Sequence, residues 1–199
     1  MGYTTTFTGK FTCTPALNAD QVAYLKALAD TRRMQRKGAS KLPDPLREAV
    51  GLPVGNEGEY FVGGTGWAGQ DHDETIVDYN NPPAAQPGLW CQWVPSDDGK
   101  FIKWDGGEKF YQYVEWIKYI NENFLKPWGV KLSGDVKWRG EESSDRGVMV
   151  ANNGVTMLIG DEFVAYKENK RLEREAKKQN KTITAAIGTT PTVTKHIKI

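Results

Sequence analysis

Pro87–Ile120, PGLWCQWVPSDDGKFIKWDGGEKFYQYVEWIKYI, is the stretch that decides the fold. Four of the seven Trp and three of the eight Tyr lie in it. Leu89–Pro95 reads as a strand. Ser96-Asp97-Asp98-Gly99 carries the Asp-Gly hairpin signal, and Phe101–Trp104 is the returning strand. Asp105-Gly106-Gly107 breaks the extended run. From Glu108 the apolar period changes from two to that of a helix: Phe110, Val114, Ile117, Ile120 and Phe124 share one face, flanked by Tyr113 and Trp116. Pro127 ends this helix, because its ring disfavours helical geometry at the residue before it. A strand–strand–helix unit buries rings on its core side, so most of the aromatic density is architecture. The rings left over for a binding platform are Trp90, on the opposite side of its strand from Trp93, and Tyr111 and Tyr119, off the main stripe of the helix.

Downstream, Val130, Leu132, Gly134, Val136 and Trp138 alternate with Lys131, Ser133, Asp135, Lys137 and Arg139. This is a strand with one wet face, as an antiparallel sheet allows. Glu141–Gly147 is a polar connection. Val148–Ala151 and Val155–Ile159 flank Asn152-Asn153-Gly154, a hairpin turn. Upstream, Tyr3–Cys13 alternates as a strand. A helix over 19–34 follows, with Asn18 and Gln21 as a capping box and Val22, Leu25, Leu28 and Ala29 as its apolar stripe. Residues 35–87 are rich in Gly and Pro. They hold a short helix at Asp44–Val50 and a short strand at Glu59–Gly63. Tyr60, Phe61, Trp67 and Tyr79 argue that this insertion packs back on the domain.

Without the insertion the order is β-α-β-β-α-β followed by a hairpin strand. The expected fold is α+β and ferredoxin-like: an antiparallel sheet with two helices on one face. Residues 1–160 form a single domain. Residues 161–199 form a basic helix, Asp161–Lys181, and a Thr-rich, β-prone arm. The helix is polar nearly all round and is expected to project into solvent or to meet a partner.

The chain has 199 residues and a formal charge of +1, unevenly spread. From Lys167 to Ile199 nine Lys/Arg stand against three Glu, a local charge of +6, which leaves −5 on residues 1–166. No apolar run approaches the roughly 18 residues of a membrane helix. No secretory signal opens the chain, and MGYTTT, which fits the Met-Gly-x-x-x-Ser/Thr acylation pattern, reads as the approach to a strand. Two Cys, Cys13 and Cys91, are too few for a disulfide framework or a four-Cys zinc site. A cytoplasmic protein with reduced thiols is expected.

Four kinds of chemistry remain. Asp71, His72, Asp73 and Glu74 combine carboxylates with an imidazole, as a divalent-metal site does, but at no recognised spacing. His196 lies near the C-terminus. VGGTGWAGQ is Gly-rich but lacks the Lys-Ser/Thr of a phosphate loop. No G-x-S-x-G occurs. In the connection after the wet-faced strand, Glu141, Glu142 and Asp145 lie near Arg139 and Arg146, where they are expected to form surface ion pairs and to contact a ligand or partner. For nucleic acid, Arg32, Arg33, Arg36, Lys37 and Lys41 form one basic cluster, and Lys170, Arg171, Arg174, Lys177 and Lys178 another. An open sheet face with an exposed Trp would stack bases.

The segments GLWCQWVPSDDGKFIKWDGGEKFYQYVEWIKYI and KLSGDVKWRGEESSDRGVMVANNGV, with GYTTTFTGKFT and VDYNNPP, resemble a family of uncharacterised proteins of tailed bacteriophages and of bacteria such as actinomycetes. The likeness spans roughly residues 2–155. The Trp-containing strand, the aromatic helix and WRGEESSDRG are also similar to the YubB-type ferredoxin-like domain of phage and plasmid accessory proteins. These resemblances imply a setting, the host cell cytoplasm, and no mechanism or functional residue. Together with the missing catalytic set, they lead to the expectation of a non-enzymatic accessory protein that engages a host protein or small ligand. It would need no cofactor and no membrane, and would use its C-terminal helix and arm for partner contact or self-association. A nucleic-acid-binding domain and a metal-dependent enzyme are the alternatives.

Overall fold

A computed structural model describes residues 2–63, 74–152 and 154–187, with side chains up to residue 181. The chain divides into two compact units, Met1–Leu158 and Ile159–Ile199. The first is mixed α+β. Its elements are β1 (Thr6–Gly9), β2 (Phe11–Thr14), α1 (Ala19–Asp30), β3 (Gln35–Arg36), α2 (Pro45–Ala49), β4 (Ile76–Asp78), β5 (Trp93–Pro95), β6 (Phe101–Trp104), α3 (Tyr113–Ile120), β7 (Lys131–Arg139), β8 (Arg146–Asn152) and β9 (Val155–Leu158). The second unit contains α4 (Gly160–Ile187).

The seven-stranded sheet runs β5-β6-β2-β7-β8-β9, with β1 also on β7. Each pairing is antiparallel. β1 and β2 share one register on β7: Thr6 lies opposite Arg139, Gly9 opposite Val136, Thr12 opposite Ser133 and Thr14 opposite Lys131. They are one strand interrupted at Lys10. The β5–β6 hairpin closes as its Asp-Gly signal dictates. Ser96 N donates to the Phe101 carbonyl at 2.8 Å, and Gly99 adopts φ +67°. A Cβ on Gly99 would lie 2.2 Å from the Leu17 carbonyl oxygen, so only glycine fits there.

One side of the sheet carries Phe11, Cys13, Trp93, Ile102, Leu132, Val136, Trp138, Met149 and Ala151, all buried. α1 and α3 bury their apolar stripes in the same core. The capping box of α1 forms, with Gln21 N donating to Asn18 Oδ1 at 2.9 Å and Asn18 N to Gln21 Oε1 at 3.0 Å. Phe7 is the hub of the aromatic core. Its ring meets those of Trp93, Trp104, Phe110 and Tyr113 edge-to-face at centroid distances of 5.4, 5.4, 5.9 and 4.9 Å, the geometry that ring quadrupoles favour.

The insertion packs back on this core. The two-stranded ribbon β3–β4 closes it at its ends. Asp44 caps α2 by accepting from Arg47 N at 3.1 Å, and its other oxygen accepts from Val62 N at 2.9 Å. Arg33 is 2% exposed; its Nε donates to Gln86 Oε1 at 3.0 Å and its Nη2 to the Glu59 carbonyl at 2.8 Å. The Tyr119 hydroxyl donates to Glu59 Oε1 at 2.7 Å. One cation, one carboxylate and one amide thus fasten the middle and the end of the insertion to the segment after α1 and to Tyr119 of α3.

Several boundaries differ from the sequence reading. α1 ends at Asp30 instead of 34, because Thr31 is extended and Arg33 N donates to the Leu89 carbonyl at 2.9 Å. β5 starts at Trp93 instead of Leu89, and in place of a strand at Glu59–Gly63 residues 59–60 form a turn and 61–63 are irregular. α3 widens to a π turn over Asn121–Leu125 before Pro127. α4 continues to Ile187, into the Thr-rich stretch. It is held by local ion pairs: Arg171 reaches Glu168 at 2.6 Å and Glu175 at 3.2 Å, the spacing at which helix neighbours meet.

Replacing Phe11 or Trp93 by Ala is expected to lower stability by about 3–5 kcal/mol, the cost of an unfilled aromatic core site. Urea unfolding of the two variants measures it; a loss under about 1 kcal/mol would contradict the assigned core.

Candidate functional site

Residues just before β5 and just before α3 meet across a groove of about 720 Å3, lined among others by Arg32, Trp90, Gln92, Lys109, Tyr111 and Gln112. The size is that of a small-molecule site. Trp90 is half-buried and Tyr111 is 55% exposed. The Arg32 guanidinium lies 6.0 Å from the Trp90 ring centre, within cation–π range, while its Nε donates to the Tyr79 carbonyl at 2.9 Å. Gln92 braces the wall: its Nε2 donates to the Glu108 carbonyl at 2.9 Å, and its Oε1 accepts from Trp104 Nε1 at 3.0 Å.

Two wall residues, Lys109 and Gln112, hold φ at +59° and +53°. Neither is glycine, and such left-handed residues cost of order 1 kcal/mol each unless their surroundings impose them. Together they turn Tyr111 outward and start α3. Gly88 sits at the base. A Cβ there would lie 2.8 Å from Gln112 Oε1 and 3.6 Å from Trp116 Nε1. Trp116 is fully buried beneath the groove, and among the described residues its Nε1 meets no acceptor.

Of the platform rings read from the sequence, Trp90 and Tyr111 come together here. Trp90 precedes β5, so it faces the groove and not the open face of the sheet. Tyr119 is buried and bonded to Glu59 and Gln86, and belongs to the interior. Burial pushes its hydroxyl pKa far up, so it remains a donor.

The polar connection after β7 differs from expectation. Among the described residues no ion pair joins Glu141, Glu142 or Asp145 to Arg139 or Arg146. Glu141 instead accepts from Thr4 N at 2.7 Å, and Asp145 accepts a short bond from the Tyr3 hydroxyl. The carboxylates hold the N-terminal segment, because the β1–β7 register delivers Tyr3 and Thr4 to that corner.

The cluster of Arg32, Arg33, Arg36, Lys37 and Lys41 is not a continuous basic surface. Arg33 is interior, and burial pulls its pKa down. Arg36 is buried with its guanidinium 4.5 Å from the Phe61 ring centre and its Nη1 donating to Thr75 at 2.9 Å. Arg32 belongs to the groove, and Lys37 and Lys41 are exposed. On α4, Arg171 is engaged by two glutamates and the half-buried Lys170 by Glu173 at 3.8 Å, while Arg174, Lys177 and Lys178 are exposed. Asp71, His72 and Asp73 lie outside the described residues, as does His196. Among the described residues no group of three His, Cys, Asp or Glu is placed to hold a metal ion, and no helix is long and apolar enough to cross a membrane. Lys109 and Gln112 were missed by sequence reasoning. Their role rests on backbone conformation, which their residue types do not announce.

No family model matches this chain, and neither does any curated protein or solved structure.

The thiols are poor nucleophiles. Burial raises the pKa of Cys13 to about 11 and that of Cys91 to about 12. A thiol whose folded pKa lies above its unfolded value near 9 adds stability below that value and loses it as pH rises toward the folded pKa. We therefore expect no reaction of either Cys with a chromogenic disulfide at pH 8 in the native protein, two equivalents of thiol once denatured, and falling stability above about pH 9. One rapidly reacting thiol in the native state would contradict the burial.

Proposed function

We propose that this chain is a non-enzymatic binding protein that takes a small, planar, anionic ligand in the Trp90–Tyr111 groove. The observation that carries the reading is the pairing of two accessible aromatic rings with Arg32 and Lys109 around one cavity, on strained backbone that sets Tyr111 at its mouth. Rings supply stacking area, and the cations favour a negative substituent. The absence of a recognised catalytic motif in the sequence favours binding over turnover.

We also infer a ferredoxin-like topology for the body. Its support is the order β5-β6-β2-β7, which sets the first strand between the hairpin's second strand and the strand after α3. β8 and β9 extend this order at one edge. The phage-type setting implied by the family resemblance suits a small accessory binder, with α4 as the candidate surface for a protein partner or for self-association.

Mononucleotides and cyclic nucleotides are suitable probes, followed by Trp fluorescence and calorimetry. Saturable binding is expected, weakened at least about tenfold by Trp90→Ala or Arg32→Gln, which is the loss of about 1.4 kcal/mol. Equal affinity in both variants would remove the groove from the reading. Hydrolysis of any probe with Mg2+, Mn2+ or Zn2+ present would overturn the non-enzymatic assignment.

A further inference from the structure

The sheet face away from α1 and α3 separates charge in a way the whole chain does not. Side chains alternate along each strand and paired residues share a face. Thr6, Thr8, Thr12 and Thr14 therefore stand on one side with Phe101 and Lys103, with Lys131, Ser133, Asp135, Lys137 and Arg139, and with Arg146. Lys10, at the break between β1 and β2, joins them with its ammonium 3.4 Å from the Phe101 ring centre. Six cations thus stand against one carboxylate, Asp135, in a body whose net charge is negative. All six are exposed. Among the described residues none of the six forms an ion pair with a carboxylate.

Arg139 and Arg146 sit directly opposite each other on β7 and β8. Like charges in that position destabilise a sheet, and the nearby Glu141 and Asp145 are turned to Thr4 and Tyr3 instead of relieving it. A repulsive pair with available counter-charges directed elsewhere fits a surface that meets a polyanion. Lys137 and Arg139 are two residues apart on one strand, about 7 Å along it, and the neighbouring strands lie about 5 Å away. The cations therefore form a band across several strands. Exposed hydroxyls of Thr8, Thr14 and Ser133 lie among them, and such groups donate to phosphate oxygens.

We propose that this face binds single-stranded nucleic acid through its phosphate backbone. The charge complementarity selects a polyanion. The partly exposed Phe101 ring, beside the Lys10 ammonium, favours a single strand, whose bases are free to stack, over a duplex. Contacts to phosphates carry no sequence information, so binding is expected to be sequence-tolerant and strongly salt-dependent. The inference is independent of the groove, which lies outside this face.

The test uses the full chain and labelled single strands of about 12 nucleotides, DNA and RNA, read by fluorescence anisotropy between about 50 and 200 mM salt. Affinity should fall with salt. Neutralising Lys137, Arg139 and Arg146 together (Lys137→Gln, Arg139→Gln, Arg146→Gln) should weaken binding at least about tenfold and reduce the log–log salt slope by about two, at roughly 0.7 per lost phosphate contact. Thermal stability of that variant should be unchanged or raised, because the like-charge pair is removed, which separates lost binding from lost folding. The matched tail variant, Arg174→Gln, Lys177→Gln, Lys178→Gln, should lose less than about threefold, and Trp90→Ala nothing. No binding at low salt, an unaltered slope in the sheet variant, an equal loss in the tail variant, loss in Trp90→Ala, or equal affinity for polyglutamate would each overturn the proposal.

Discussion

The body of this protein depends on the insertion of its first strand between two others. Thr6–Thr14 holds a single register along β7 while Phe11 and Thr12 also pair with β6. Without it the β5–β6 hairpin and the β7–β8–β9 meander would be separate pieces. The strand also carries Phe7 and Phe11, whose rings join Trp93, Trp104, Phe110 and Tyr113 into one cluster. The partners lie at the far end of the body's sequence, so this pairing requires closing a long loop. Such non-local contacts are the slow part of folding.

The second constraint is the burial of Arg33. Taking a guanidinium from water is costly unless its donors are met. Here Gln86 Oε1 and the Glu59 carbonyl, both from the insertion, meet Nε and Nη2, while Nη1 is buried without an acceptor among the described residues. The Gly/Pro-rich segment is therefore fastened by a few polar bonds and by Phe61 and Val62, and needs little regular structure of its own. The same fastening ends α1 early, displaces the start of β5 and leaves Trp90 beside Arg32. The groove is a by-product of where the insertion is tied down.

Charge follows a similar logic. The chain is nearly neutral, yet the β7 alternation puts Lys131, Lys137 and Arg139 on one side of the sheet and apolar residues on the other. Neighbouring strands add Lys10, Lys103 and Arg146 to the same side. Most of the body's carboxylates lie on helices, turns and the insertion.

By itself the sequence determined the local elements whose signals are local. The capping box, the Asp-Gly hairpin and the β7 alternation appear where their patterns placed them, and the aromatic helix does so from Tyr113 instead of Glu108, because capping, turn geometry and period are properties of neighbouring residues. The aromatic density of Pro87–Ile120 was likewise legible as core. Tertiary structure alone decided which rings remained accessible: Trp90 and Tyr111 line the groove, and Tyr119 is interior. It decided that Arg33 and Arg36 are buried and not a surface patch, and that Glu141 and Asp145 serve the N-terminal segment. It also brought Lys10, Lys103 and Arg146 to the face where the β7 alternation sets Lys131, Lys137 and Arg139. Each of these depends on partners distant in the chain, and burial, register and charge clustering are set by which strands meet.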